Sequence, residues 1–199
     1  ILTGVADSYR RLRNTMRFML GSLGDSNDFE KIRLQDLPDL EKWVLSKLKK
    51  LDNNIREDYK NYSFQTVFQQ LFQFCTVDLS SFYFDIRKDA LYCDHISSHV
   101  RKSCIFTLEM IFERLVKWFA PILPFTMEEV WMQRQKENLN TSVHLDDFPK
   151  TPNEWTNIEL EEKWNRIRDI RSYVTLAIEK ERQNKNCLLY TSDAADDVE

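Results

Sequence analysis

Glycine is scarce in this chain, with 3 in 199 residues, and proline is little commoner, with 5. Residues that break helices are therefore rare, and long helices can run without interruption. There is no glycine-rich turn to cradle a phosphate and no alternation of strands with helices, which excludes a nucleotide-binding sheet. No segment approaches the roughly 20 consecutive apolar residues that cross a bilayer, so no membrane partner is expected. The four cysteines, at positions 75, 93, 104 and 187, form no CxxC pair, and His95 and His99 have no cysteine pair to join. A metal site is not expected. Cys75 and Cys104 sit in apolar helical contexts and read as buried free thiols of a cytoplasmic protein. No nucleophile triad is present, so no catalytic residue is assigned. A secretory signal is missing at the start, and the first residue is Ile1 rather than methionine, so a natural start there is not expected.

An overall excess of positive charge is also missing. Net charge is −4, and Asp193, Asp196, Asp197 and Glu199 near the end account for all of it. The first 24 residues run the other way, with Arg10, Arg11, Arg13 and Arg17 against Asp7 alone. A small basic face on a neutral body suits one phosphate-rich loop rather than a long duplex, and no DNA partner is expected.

What is present is a folded composition, 42% hydrophobic and 30% charged, arranged at helical spacing. The reading is an all-α fold. A first helix is predicted over about 2–21, with Val5, Tyr9, Leu12, Met16, Met19, Leu20 and Leu23 on its packing side. Arg10, Arg13, Asn14 and Arg17 fall on the opposite side within roughly 100° of arc. Residues 21–34 read as a loop. A second helix starts near Asp36 or Pro38 and runs to about Tyr62, burying Leu40, Trp43, Val44, Leu48, Leu51 and Ile55, with Lys47, Lys49 and Lys50 mostly on the wet side. The third, capped by Ser63, covers about 64–92 with a bend near 77–81. The fourth starts near Ser97 or Ser98 and stops at Pro121. A short helix over 128–135 follows, with Thr126 placed to start it and Glu128 and Glu129 as charges at its positive end. Residues 136–158 form a polar connector in which Val143-His144-Leu145 makes a short strand or lies along the core. A last helix over about 159–186 places Trp164, Ile167, Ile170, Val174, Leu176 and Ile178 inside.

The arginine face is the best binding candidate, because guanidinium forks fit phosphate and also stack on and hydrogen-bond to exposed bases. The alternative is a solvated face with ion pairs to its neighbours. Tyr92, near Lys88 at a helix end, is a candidate stacking platform; the alternative is a partly buried structural tyrosine. His95, His99 and His144 read as solvated surface histidines.

Beyond this, the chain resembles a known family. Residues 9–18 (YRRLRNTMRF) are similar to the opening helix of the anticodon-binding domain of class I aminoacyl-tRNA synthetases. The proline corner at 120–131 (APILPFTMEEVW) resembles the branch specific for isoleucine, valine and leucine. Residues 74–89 (FCTVDLSSFYFDIRKD) and Arg101-Lys102-Ser103-Cys104 look like the isoleucyl-tRNA synthetases. The likeness covers residues 1–186 and implies an all-α helical bundle of the class I synthetase anticodon-binding type, with about five main helices. It implies tRNA(Ile) as partner, together with the catalytic and editing domains of the same parent chain. ATP and Mg belong to the full-length ligase, whose HIGH and KMSKS motifs, editing domain and zinc module do not occur here. The chain is therefore expected to be a fragment that is inactive alone. The family's anticodon contacts carry over to Tyr9, Arg10, Arg13, Asn14 and Arg17 on the first helix, and to Lys88 and Tyr92 at the end of the third. The same arginine–asparagine pair can instead tie the helix to the catalytic core. The rival readings are the valine enzyme and a helical interaction module with no RNA role. Residues 187–199 depart from the family pattern, resemble translated sequencing-adapter sequence, and are expected to be a non-native or disordered tail.

Overall fold

The apolar spacing of the sequence becomes a set of packed helices in the computed structural model, which describes residues 2–24, 32–135 and 141–183. The readings for the 25–31 loop, for 136–140, for Cys187 and for the 187–199 tail lie outside the described residues. Among the described residues there is no strand, in keeping with an all-α fold. The chain divides into two compact units, Ile1–Ile158 and Glu159–Glu199.

In the first unit, α1 (Leu2–Leu23) buries Leu12, Thr15, Met16, Met19 and Leu23. Gly24 closes it with φ 62°, its N–H bonding the Leu20 carbonyl at 3.1 Å, a left-handed cap that suits a residue without Cβ. Val5 departs from expectation: it is 62% exposed, because α1 buries nothing before Leu12. A 3-10 turn (Leu34–Asp36) leads into α2 (Asp39–Lys60), where the six expected core residues are all buried.

The long aromatic stretch folds as α3 (Phe64–Gln73), a π-helical segment (Phe74–Tyr83) and α4 (Phe84–Tyr92). The expected bend at 77–81 lies inside this π segment. Its cause is local: the hydroxyls of Ser80 and Ser81 donate to the carbonyls of Cys75 and Thr76, five residues back, at 2.8 and 2.6 Å. Side-chain bonding of this kind competes with the regular ladder and favours the wider turn. Ser63 stands at the start of α3 but makes no capping bond with its side chain.

α5 (His99–Phe119) is capped by Ser98, whose hydroxyl accepts from the Arg101 N–H. It ends at Ala120, before Pro121, as the sequence requires. The start of α6 (Pro124–Arg134) is earlier than expected. Pro124 takes the first helical turn, where its missing N–H has no partner to lose, so Thr126 is free for another bond.

Trp43, Trp118, Tyr83, Phe112 and Phe119 are fully buried among α2, the π segment and α5. Each large apolar side chain removed from water contributes about 1.5–3 kcal/mol. A charged pair lies within this core. Arg87 donates to both oxygens of the fully buried Glu41 carboxylate at 2.6 Å, and the Tyr83 hydroxyl donates to the same carboxylate at 3.2 Å. Burial pushes the Tyr83 hydroxyl well above its ordinary pKa, so it stays a donor. The Cys104 thiol, 3.4 Å from that hydroxyl, is pushed up to about 12 by burial.

The polar connector is held by cations. Lys49 donates to the Thr151 carbonyl at 3.1 Å, Arg56 to the Pro149 carbonyl at 2.6 Å, and Arg114 to the Lys150 carbonyl at 3.0 Å. The Arg114 guanidinium also lies 4.7 Å from the Trp155 ring centroid. Lys49 is therefore buried rather than wet, because its α2 face is covered by the connector. Val143 is buried in a 3-10 turn (Val143–Leu145), not a strand.

The second unit contains most of α7 (Ile158–Gln183). Here the expectation of an inward face is corrected. Ile167, Ile170, Val174, Leu176 and Ile178 are exposed, Ile170 by 63%, and Trp164 is only half-buried. Periodic spacing marks a face able to be buried; burial itself needs a covering surface.

Candidate nucleic-acid interface

The seven candidate residues all belong to α1 and α4. Helical geometry puts a buried strip, two flanks and an exposed crest on α1. The buried strip faces the core. Beside it, Tyr9 and Arg13 look towards α6, and on the other flank Thr15 and Phe18 look towards the π segment and α4. Arg10, Asn14 and Arg17 form the exposed crest between those flanks.

On the α6 flank the Tyr9 hydroxyl and the Thr126 hydroxyl are 3.0 Å apart. Arg13 makes a two-pronged pair with the Glu129 carboxylate at 2.9 and 2.7 Å, and reaches the Tyr9 hydroxyl at 3.4 Å. The hydrogen bond from Arg13 holds the Glu129 carboxyl below its ordinary pKa and raises the already basic guanidinium. Tyr9 is lowered by its bonds to Thr126 and then Arg13. Both members of the ion pair are half-exposed, so the pair is a weak clasp in energetic terms. Its neighbour Glu128 instead accepts from the Ser142 hydroxyl at 2.9 Å and the Val143 N–H at 3.0 Å. The two glutamates are thus partners for α1 and for the connector rather than simple helix-start charges.

The crest is more open. Arg10 pairs with Asp7 at 3.0 Å, one turn earlier. Asn14 and Arg17 are exposed and have no hydrogen bond or ion pair among the described residues. Arg11, which the candidate set leaves out, is equally open. On the α4 flank Lys88 pairs with Asp85 at 3.2 Å. Tyr92 is 67% exposed and touches Phe18 edge-on, with centroids 6.4 Å apart. Phe18, which is not among the candidates, thus links α1 to both ends of α4.

Three residues complete the picture. Thr126 and Glu129 bind the candidates from α6, more than 100 positions away, and no local pattern signals that pairing. Phe18 was within reach of the sequence, since it lies one turn beyond Asn14 on the same side of α1. The histidines at 95, 99 and 144 are exposed, as read. No cluster able to hold a metal ion occurs among the described residues, and no described helix is long and apolar enough to cross a membrane.

Residues 41–194 match the family described as the anticodon-binding domain of tRNA ligase. An isoleucine–tRNA ligase of Ruegeria pomeroyi is 52% identical over 186 residues, covering 93% of this chain and 19% of the relative. That of Pelagibacter ubique is 48% identical over 190 residues, covering 93% and 21%, and that of Agrobacterium fabrum 49% over 179 residues, covering 90% and 18%. The chain thus spans about a fifth of the length of these relatives. It belongs to the anticodon-binding domain family of the tRNA ligases.

Proposed function

We propose that the chain is the anticodon-binding part of an isoleucine–tRNA ligase that works in the cytoplasm and takes tRNA(Ile) as its partner. The open basic crest of α1, with Arg17 and Asn14 uncommitted among the described residues, is the structural observation that supports this most. Guanidinium and amide groups of this kind suit the phosphates and splayed bases of a single-stranded loop. The similarity to isoleucine–tRNA ligases favours isoleucine over valine. In the whole ligase the domain's contribution is positional: gripping the anticodon orients the acceptor end towards a distant catalytic core. ATP and Mg act in that core, and this chain alone does not charge tRNA.

A gel shift with tRNA(Ile) tests the reading. Binding should weaken as salt rises and disappear in the double variant Arg10→Glu, Arg17→Glu, with the melting temperature kept. Undiminished binding by the double variant contradicts the role given to the crest, and no binding by the wild type favours a helical interaction module. Isoleucine-dependent pyrophosphate exchange by the chain alone contradicts the assignment of catalysis to the rest of the ligase.

A further inference from the structure

On α2, Lys49 is buried and bonded to the connector, but its neighbours Lys47 and Lys50 serve nothing in the fold. Neither has a hydrogen bond or ion pair among the described residues. Three positions apart, the two ammonium groups share one side of the helix and repel each other. Both line a cleft of about 190 Å³ where α2 runs past α3 and the π segment. Carboxamides form much of the remaining wall. Asn54 and Gln73 have no partner among the described residues, so their amide nitrogens are open donors. Gln70 has already given its amide nitrogen to Asp58 at 2.6 Å. Asp78 adds a carboxylate.

Charge and size define what fits. Two ammonium groups against one carboxylate leave a single net positive charge, which matches a phosphodiester and falls short of a nucleoside triphosphate. The cleft is also smaller than the roughly 300–1,000 Å³ of pockets that enclose a small molecule. Phe74, the ring in its wall, is 4% exposed and gives a base nothing to stack on. Open cations without a platform suit a sugar–phosphate backbone and read no sequence.

The cleft lies near α1. The π segment carries Phe74 and Asp78 on the cleft side, and Ser80, 3.2 Å from the Thr15 hydroxyl, on the α1 side. About one helix width, roughly 10–12 Å, therefore separates the two basic places. Val77, Ser80 and Ser81, exposed on that segment, are small and raise no ridge between them.

We propose that the cleft between α2 and α3 is a second RNA contact, in which Lys47 and Lys50 take one backbone phosphate of the paired stem next to the loop held by the crest. The inference rests on the proposed anticodon function and extends the RNA contact beyond the loop. Paired bases hide their edges, so a contact that reads no base suits a stem. Asn54 and Gln73 donate to the neighbouring phosphate and sugar oxygens.

The test uses the full chain, a tRNA(Ile) anticodon stem-loop, and the loop sequence alone as an unpaired oligonucleotide. In the double variant Lys47→Gln, Lys50→Gln the slope of log affinity against log salt for the stem-loop should fall by about one unit. The melting temperature should be kept, and the unpaired oligonucleotide should bind both proteins alike. Lys50 is exposed, so Lys50→Gln alone decides the matter if the double variant fails to fold. With a neutral methylphosphonate placed at one stem position at a time, one position should make wild type and variant bind equally. An unchanged stem-loop slope in the lysine variant overturns this inference, and leaves the anticodon reading standing where charge reversal at Arg10 and Arg17 still abolishes binding. An equal loss with the unpaired oligonucleotide overturns the assignment to the stem. Binding of ATP by wild type and not by the lysine variant gives the cleft to a free nucleotide and overturns the RNA contact. A stem-loop that does not bind wild type overturns both proposals.

Discussion

Arg13 on α1 donates both terminal nitrogens to the Glu129 carboxylate on α6, across 116 positions of sequence. The first consequence is a pH dependence. Because Arg13 holds the Glu129 carboxyl below its ordinary pKa, the clasp is fully present above the usual carboxylate range. It is lost as pH falls through the lowered value. Wild type and Glu129→Gln should therefore differ slightly in melting temperature near neutral pH and converge in acid. A gap that persists after the carboxyl is protonated contradicts this linkage.

The same pair bears on RNA affinity. Glu129→Gln removes the charge that competes for Arg13, so tRNA binding should tighten at low salt and the advantage should fade as salt rises. Measured dissociation constants at two salt concentrations are sufficient. Weaker binding in Glu129→Gln would instead mean that the carboxylate holds Arg13 in its working position.

The buried charge pair predicts a much larger effect. Glu41→Gln leaves the Arg87 guanidinium without its counter-charge in a site where Glu41 is wholly buried. The expected loss in urea unfolding is about 3–5 kcal/mol. Arg87→Met should be similarly severe, and the two changes together milder than their sum. Additive losses would show that the two residues act independently.

Thiol chemistry separates the cysteines. Cys93 is exposed, whereas Cys75 and Cys104 are buried and their thiols are pushed up by burial, that of Cys104 to about 12. In a Cys187→Ser background, iodoacetamide under native conditions should label Cys93 alone, as read by peptide mass spectrometry. Prompt labelling of Cys104 in the folded protein contradicts the packing around Tyr83.

Much of the fold is legible in the sequence because burial follows helical periodicity. Leu12, Met16 and Met19 in α1, and Trp43, Val44 and Leu48 in α2, are buried where their spacing puts them. The misses share a physical origin: periodicity says which face can be buried but not what covers it. Lys49 read as wet because its partner, the Thr151 carbonyl, lies 102 positions away. The apolar face of α7 read as inward because nothing in its spacing records whether a covering surface is present. Local competition hid the π segment, since Ser80 and Ser81 look like ordinary helix residues until their hydroxyls choose carbonyls five back. In the candidate site, the basic crest was legible from charge spacing. The neutralisation of Arg13 and the linking role of Phe18 depend on tertiary neighbours and were not.

The most direct measurement is the salt dependence of stem-loop binding by wild type and Arg17→Ala. A guanidinium that neutralises one phosphate contributes about one unit to the slope of log affinity against log salt. The slope should therefore fall by about one unit in Arg17→Ala, with the melting temperature unchanged. An identical slope in the two proteins would mean that the open crest of α1 does not hold RNA.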